Sequence, residues 1–289
     1  MGERANRPDP TANARFAPGL RRLRGMPYFE RPGARIYYEV SGSGPALVFA
    51  HGLGGNHLSW WQQVPAFNDR YTCVVFAHRG FAPSTEEPGG SGAAAFADDL
   101  EALIDHLGLD DVRLVAQSMG GWTCLAYALT HPERVRALVM CDTTGTLAHP
   151  GFEAIYASRP PGREQALFER GIHPAGGERM ASEQPALHYL YWQINNLASG
   201  LDKDALRNQL IALRTTPPEA LAVLQMPVLC IAGEEDVVIA PESVRLLAES
   251  VPDGRYVPIP RAGHSVYFER AEQFNRVVGE FLDDVEARE

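Results

Sequence analysis

Six short runs of nearly unbroken apolar residues limit the folds open to this chain more than any other feature. They are Ala46–Ala50, Cys73–Ala77, Val112–Ala116, Val135–Cys141, Val228–Ala232 and Tyr256–Ile259. A strand with one wet face alternates apolar and polar residues, whereas an unbroken apolar run suits a strand covered on both faces. Between the runs lie helical patterns. In Phe96–Leu107, the residues Phe96, Leu100, Leu103, Ile104 and Leu107 recur at three- and four-residue steps. Further helices are predicted at Met119–Thr130, Pro241–Glu249 and Ala271–Val285, and two strands at Tyr28–Arg31 and Arg35–Val40 flank the Pro32-Gly33 turn. Strands that alternate with helices through short loops imply an α/β fold: a mostly parallel central sheet with helices on both faces. In such a sheet the ligand site lies beyond the carboxyl ends of the strands.

The rhythm breaks over residues 145–226, which offer helical stretches and Pro- and Gly-rich loops but no clear strand. A structureless loop of that length is improbable in a compact domain, so an inserted helical cap is expected there. The core is then residues 26–144 together with 227–289. Residues 1–25 carry six arginines and two acids without an apolar middle, and read as a disordered basic extension. With 26 basic and 36 acidic residues, the chain carries a net charge of −10. An acidic body repels nucleic acid and anionic membrane surfaces, which leaves a small, apolar molecule as the expected partner. No run approaches the ~18 apolar residues of a membrane span. Cys73, Cys124, Cys141 and Cys230 all sit in apolar stretches and form no Cys-x-x-Cys, so buried free thiols in a reducing cytoplasm are expected.

The strongest chemical signal is Val115-Ala116-Gln117-Ser118-Met119-Gly120-Gly121, which follows a strand and opens a helix. A serine at a sharp strand-to-helix bend needs small residues two before and two after it, here Ala116 and Gly120. The bend lifts the hydroxyl above the sheet and points the helix's first amides, including that of Met119, at a nearby negative oxygen. His51-Gly52-Leu53-Gly54-Gly55-Asn56-His57 follows the run Ala46–Ala50 directly. Its Leu53 amide could join that of Met119 in an oxyanion hole. A phosphate-binding reading of these glycines fails, since neither Gly-Lys-Ser/Thr nor the Gly-x-Gly-x-x-Gly spacing is present. Two later strands end in Gly233-Glu234-Glu235-Asp236 and Pro260-Arg261-Ala262-Gly263-His264. The order Ser118, Asp236, His264 would supply a nucleophile, an acid that orients the base, and the base itself.

These motifs resemble those of the α/β-hydrolase fold family over nearly all of 27–281, and the likeness extends to two more segments. Ser59-Trp60-Trp61-Gln62-Gln63-Val64-Pro65 is similar to that family's stretch after the oxyanion turn. Arg79-Gly80-Phe81-Ala82-Pro83-Ser84 is similar to its stretch after the next strand, although Ala77 and Ala82 replace the usual Asp and Gly. The resemblance implies a serine hydrolase with a helical cap, acting on a small ester, lactone or thioester without cofactor or metal. Some family members place the acid at an earlier strand end, where this chain has Asp142; the Gly-x-x-Asp turn favours Asp236. A carbon–carbon bond hydrolase, a lyase or cyclase, and a ligand receptor are the alternatives within the fold. Dehalogenase and epoxide hydrolase chemistry need a carboxylate where Ser118 stands. Trp60, Trp122, Tyr189 and Trp192 are taken as candidate substrate contacts. His51 is read as a brace for the oxyanion turn, and the remaining histidines show no metal-ligand spacing.

Overall fold

The strands meet in one mixed sheet, seen in a computed structural model that describes residues 27–288. The extension expected over residues 1–25 lies outside the described residues. The strands are β1 (Tyr28–Arg31), β2 (Ala34–Ser41), β3 (Ala46–Ala50), β4 (Thr72–Phe76), β5 (Thr85–Glu86) and β6 (Val112–Gln117). They continue with β7 (Val135–Cys141), β8 (Val228–Gly233) and β9 (Gly254–Ile259). The spatial order is β1-β2-β4-β3-β6-β7-β8-β9, with β5 paired to β2. Pairing is antiparallel from β1 through β2 to β4 and parallel from β4 through to β9. Each expected strand is present, and the two-residue β5 is the one described strand that the sequence did not announce.

The helices are α1 (Val64–Phe67), α2 (Phe96–His106), α3 (Gly120–Thr130), α4 (Phe152–Ala157), α5 (Arg163–Glu169) and α6 (Gly177–Glu183). They continue with α7 (Pro185–Asn196), α8 (Lys203–Ala212), α9 (Pro241–Glu249), α10 (Val266–Glu269) and α11 (Ala271–Glu286). Alternate residues of the parallel strands β3, β4 and β6 to β9 feed two apolar layers. Val48 and Ala50 of β3 face the layer of Leu100 and Leu103 of α2 and Val244 and Leu247 of α9. Leu47 and Phe49 face the layer of Phe274, Val278, Phe281 and Leu282 of α11. Both faces are therefore dry, which is why these strands read as apolar runs. No helix among the described residues is long and apolar enough to cross a membrane. All four cysteines are buried and unpaired.

Helices α4 to α8 all lie between β7 and β8. Where this excursion leaves and rejoins the sheet, Ala148 N donates to Thr216 O (2.7 Å) and Thr216 N to Thr146 O (3.0 Å). A further device secures the loop after β4. Arg79, almost fully buried, donates two hydrogen bonds of 2.7 Å to the carboxylate of Asp99 on α2.

Candidate active site

The chain reverses direction across the sheet between β3 and β6, which are neighbours although β4 and β5 intervene in sequence. Loops leaving such a pair diverge and open a crevice. Here they carry the two Gly-rich motifs. Ser118 follows β6 directly with φ of +48°, a conformation costly for a side chain other than glycine. Its neighbours explain how that bend is held. The Ser118 amide donates to Cys141 O (3.0 Å), and its carbonyl accepts from Gly121 N (2.8 Å) and the Thr143 hydroxyl (2.7 Å). A Cβ on Gly120 would lie 2.1 Å from the Ala50 carbonyl oxygen, so α3 can start this close to β3 only with glycine there. A Cβ on Gly52 would fall 3.1 Å from the Ser118 Cβ, which measures how closely the β3 loop passes the serine.

Ser118, Asp236 and His264 come together. The Ser118 Oγ lies 2.8 Å from His264 Nε2, and His264 Nδ1 lies 2.8 Å from Asp236 Oδ2. The second Asp236 oxygen accepts from the amides of Val238 (2.7 Å) and Ile239 (2.9 Å). Gln117 Nε2 donates to the His264 carbonyl (2.9 Å) and so ties the histidine loop to the serine's own strand. Burial disfavours a charged His264, but the charge and hydrogen bond of Asp236, followed by the charge of Asp142, outweigh it and raise its pKa. Asp142 is fully buried behind this group. Its oxygens accept from Gly233 N (2.8 Å), Val266 N (3.3 Å) and the Cys141 thiol (3.1 Å), not from histidine. Burial first and Asp236 second push the Asp142 pKa upward.

The amides of Leu53 and Met119 make no hydrogen bond among the described residues, and both residues line the cavity that contains Ser118. The Leu53 turn is braced from behind. His51 Nε2 accepts from the His78 amide (3.0 Å), so Nδ1 carries the proton and donates to Gly52 O (2.8 Å). The His78 ring continues the chain to Thr123 Oγ1 (2.9 Å). Complete burial lowers the His51 pKa to about 3, which makes it a neutral strut.

The cavity above Ser118 has a volume of about 960 Å³ and is walled by the sheet loops and by α4, α5, α7 and α8. Of the four aromatic residues expected to contact substrate, only Trp122 lines it. Trp122 also donates from Nε1 to Leu210 O (2.7 Å), joining α3 to α8. The other three expectations are corrected. Trp60 is fully buried against Phe49 and Tyr267, with ring centroids 5.1 and 4.7 Å away. Tyr189 is 66% exposed. Trp192 packs on His173 at 4.7 Å, outside the cavity wall. Tyr191 and Asn195 occupy the cavity-facing side of α7 instead, four residues apart as a helix face requires. Aromatic identity alone could not distinguish Tyr191 from its neighbours, since successive residues turn ~100° around a helix. His51 braces the turn as its position after the strand implied, whereas Gln117, His78 and Thr123 had no sequence signal, because they act through contacts distant in sequence.

Comparison with known proteins gives a consistent picture. Residues 45–210 match the family model described as alpha/beta hydrolase fold. A protein of Mycobacterium tuberculosis, named "Putative non-heme bromoperoxidase BpoC", is 31% identical over 87% of this chain and 99% of its own length. Among solved structures, Est816, described as an N-acyl homoserine lactone degrading enzyme, has 25% identity and a TM-score of 0.73, covering 88% of this chain and 100% of its own. A thermophilic esterase from Thermogutta terrifontis has 26% identity and a TM-score of 0.71, covering 90% of this chain and 97% of its own.

Proposed function

The chain belongs to the alpha/beta hydrolase fold family and is a hydrolase, and from that premise we propose that it cleaves a small ester, lactone or thioester through an acyl-enzyme on Ser118. The hydrogen-bonded chain from Asp236 through His264 to the Ser118 hydroxyl carries this reading. In the first half-reaction, His264 Nε2 takes the Ser118 proton as Oγ attacks the substrate carbonyl carbon. The new oxyanion rests on the amides of Leu53 and Met119; removing one donor of such a pair typically raises the barrier by roughly 2.7–4 kcal/mol. Collapse breaks the bond to the leaving group, which takes the proton back from His264. Water then gives a proton to His264 and attacks the acyl carbon, and collapse restores the serine. Asp236 holds the histidine with Nε2 toward Ser118 and stabilises the imidazolium.

Helices α4 to α8 act in this reading as the cap expected over residues 145–226, shielding the acyl-enzyme and shaping the cavity. The esterase and lactone-degrading descriptions of two structural neighbours accord with this substrate class. Turnover of a panel of short p-nitrophenyl esters and lactones tests it. Ser118→Ala is expected to lower turnover by on the order of 10⁴–10⁶. Retention of full activity in that variant would rule the proposal out.

A further inference from the structure

The cavity reverses the charge of the surrounding molecule. The chain is acidic overall, with a net charge of −10. Yet five cationic side chains, those of Arg159, Arg163, Lys203, Arg207 and Arg214, line the cavity against two carboxylates, Glu164 and Asp204. Four of these cations have other partners or face water. Arg159 donates to the Asp236 carbonyl, and Arg207 pairs with Asp204. Arg214 lies over the rings of Trp122 and Phe152. Arg163 is exposed.

Lys203 differs from them. It is the single lysine among 26 basic residues, and it stands half-buried at the first position of α8. It makes no ion pair among the described residues. Its Nζ donates to the Asn195 carbonyl (3.1 Å) and the Asn195 side-chain oxygen (2.6 Å). An ammonium has three N–H groups, so one donor is left over on a residue of the cavity wall. Asn195 also lines the cavity, and its two oxygens grip the ammonium together, so Nζ is held in place and not left swinging on its stem. Burial, with a smaller contribution from Arg207, lowers the Lys203 pKa to about 8. The site is therefore a positioned cation, short of both water and counter-charge.

We propose that the substrate hydrolysed at Ser118 carries a carboxylate remote from the scissile bond, and that Lys203 binds that carboxylate. The proposal rests on the reading of Ser118 as nucleophile. A carboxylate fits because its single charge pairs with the one ammonium that is half-buried and keeps a donor to spare. The competing role for Lys203 is structural: through Asn195 it also fastens the end of α7 to the start of α8.

Calorimetry on the Ser118→Ala protein separates the two roles without turnover. The ligands are the monomethyl esters of succinate, glutarate, adipate and pimelate, each paired with a neutral methyl ester of matching length. At least one half-ester is expected to bind about tenfold or more tightly than its neutral partner, the scale of one charge-assisted hydrogen bond. Adding Lys203→Met should collapse that ratio towards one. Equal binding of half-esters and neutral esters overturns the proposal, whether or not the Lys203 variant folds. Equal weakening of both classes by Lys203→Met also overturns it, since that is the mark of a structural link. Displacement of the half-ester by inorganic phosphate at lower concentrations than by acetate would reassign the site to phosphate and overturn the carboxylate. Half-ester selectivity in a wild-type protein that hydrolyses no ester would leave the anion site standing and dismiss the role of Ser118.

Discussion

His264 Nδ1 lies 2.8 Å from Oδ2 of Asp236, with both side chains buried at the carboxyl edge of the sheet. Asp142 also ends a strand at this edge, but its oxygens take the amides of Gly233 and Val266. The two acids therefore divide the work: one faces the imidazole, and the other ties together the loops that carry Asp236 and His264. The acidic surroundings raise the His264 pKa despite burial.

That shift sets the expected pH dependence. A general base must be neutral to accept the serine proton, so kcat/KM rises with pH and levels off once His264 is deprotonated. Because the pKa is raised, the inflection should lie above the ordinary value of about 6.5. Asp236→Asn removes the nearest charge; the inflection should move down, and kcat should fall by roughly 10⁴. Ester hydrolysis followed across the neutral range checks both effects, and an inflection that stays in place would contradict the role given to Asp236.

Gly120→Ala places a methyl group 2.1 Å from the Ala50 carbonyl oxygen, on backbone that cannot rotate aside. Either β3 or the start of α3 must shift, and the Ser118 bend shifts with it. We expect a stability loss of roughly 1–3 kcal/mol and a larger proportional loss of turnover. Thermal melts alongside ester kinetics measure the two, and wild-type turnover would show that the contact is not limiting.

Three aromatic residues once grouped as substrate contacts should separate experimentally. Trp60→Ala empties a fully buried site and should cost roughly 3–5 kcal/mol. Tyr189→Ala, at a side chain 66% exposed, should stay within about 0.5 kcal/mol of wild type. Trp122→Ala should change KM and substrate preference, because its ring lines the cavity. Denaturant melts and a substrate panel distinguish these outcomes.

Asp99→Ala leaves the Arg79 guanidinium buried without its bidentate partner. Loss of one member of such a pair typically costs roughly 3–5 kcal/mol. Glu86 also contacts Arg79, at 3.3 Å, so the double variant Asp99→Ala/Glu86→Ala should be weaker still. Urea midpoints check the order.

The frame was legible in the sequence because buried parallel strands write themselves as apolar runs, and the glycines around Ser118 and Leu53 mark backbone that must approach backbone. The choice of Asp236 over Asp142 was legible only through the turn before it; the hydrogen bonds give the physical reason. What stayed hidden depends on facing. Trp60 and Trp122 are both tryptophans near a motif, yet one is walled in by Phe49 and Tyr267 while the other borders the cavity. Lys203 was visible as the chain's only lysine, but nothing near it in sequence placed it on the cavity wall.

The central claim is tested most directly by mass spectrometry of the protein after brief exposure to a fluorophosphonate, which reacts with an activated serine hydroxyl, loses fluoride and leaves a tetrahedral adduct that mimics the tetrahedral intermediate. One covalent adduct per chain is expected, on the peptide containing Ser118, and it should be absent from His264→Ala protein treated alike. A folded wild-type protein that stays unlabelled, or is labelled on a different serine, would contradict the account.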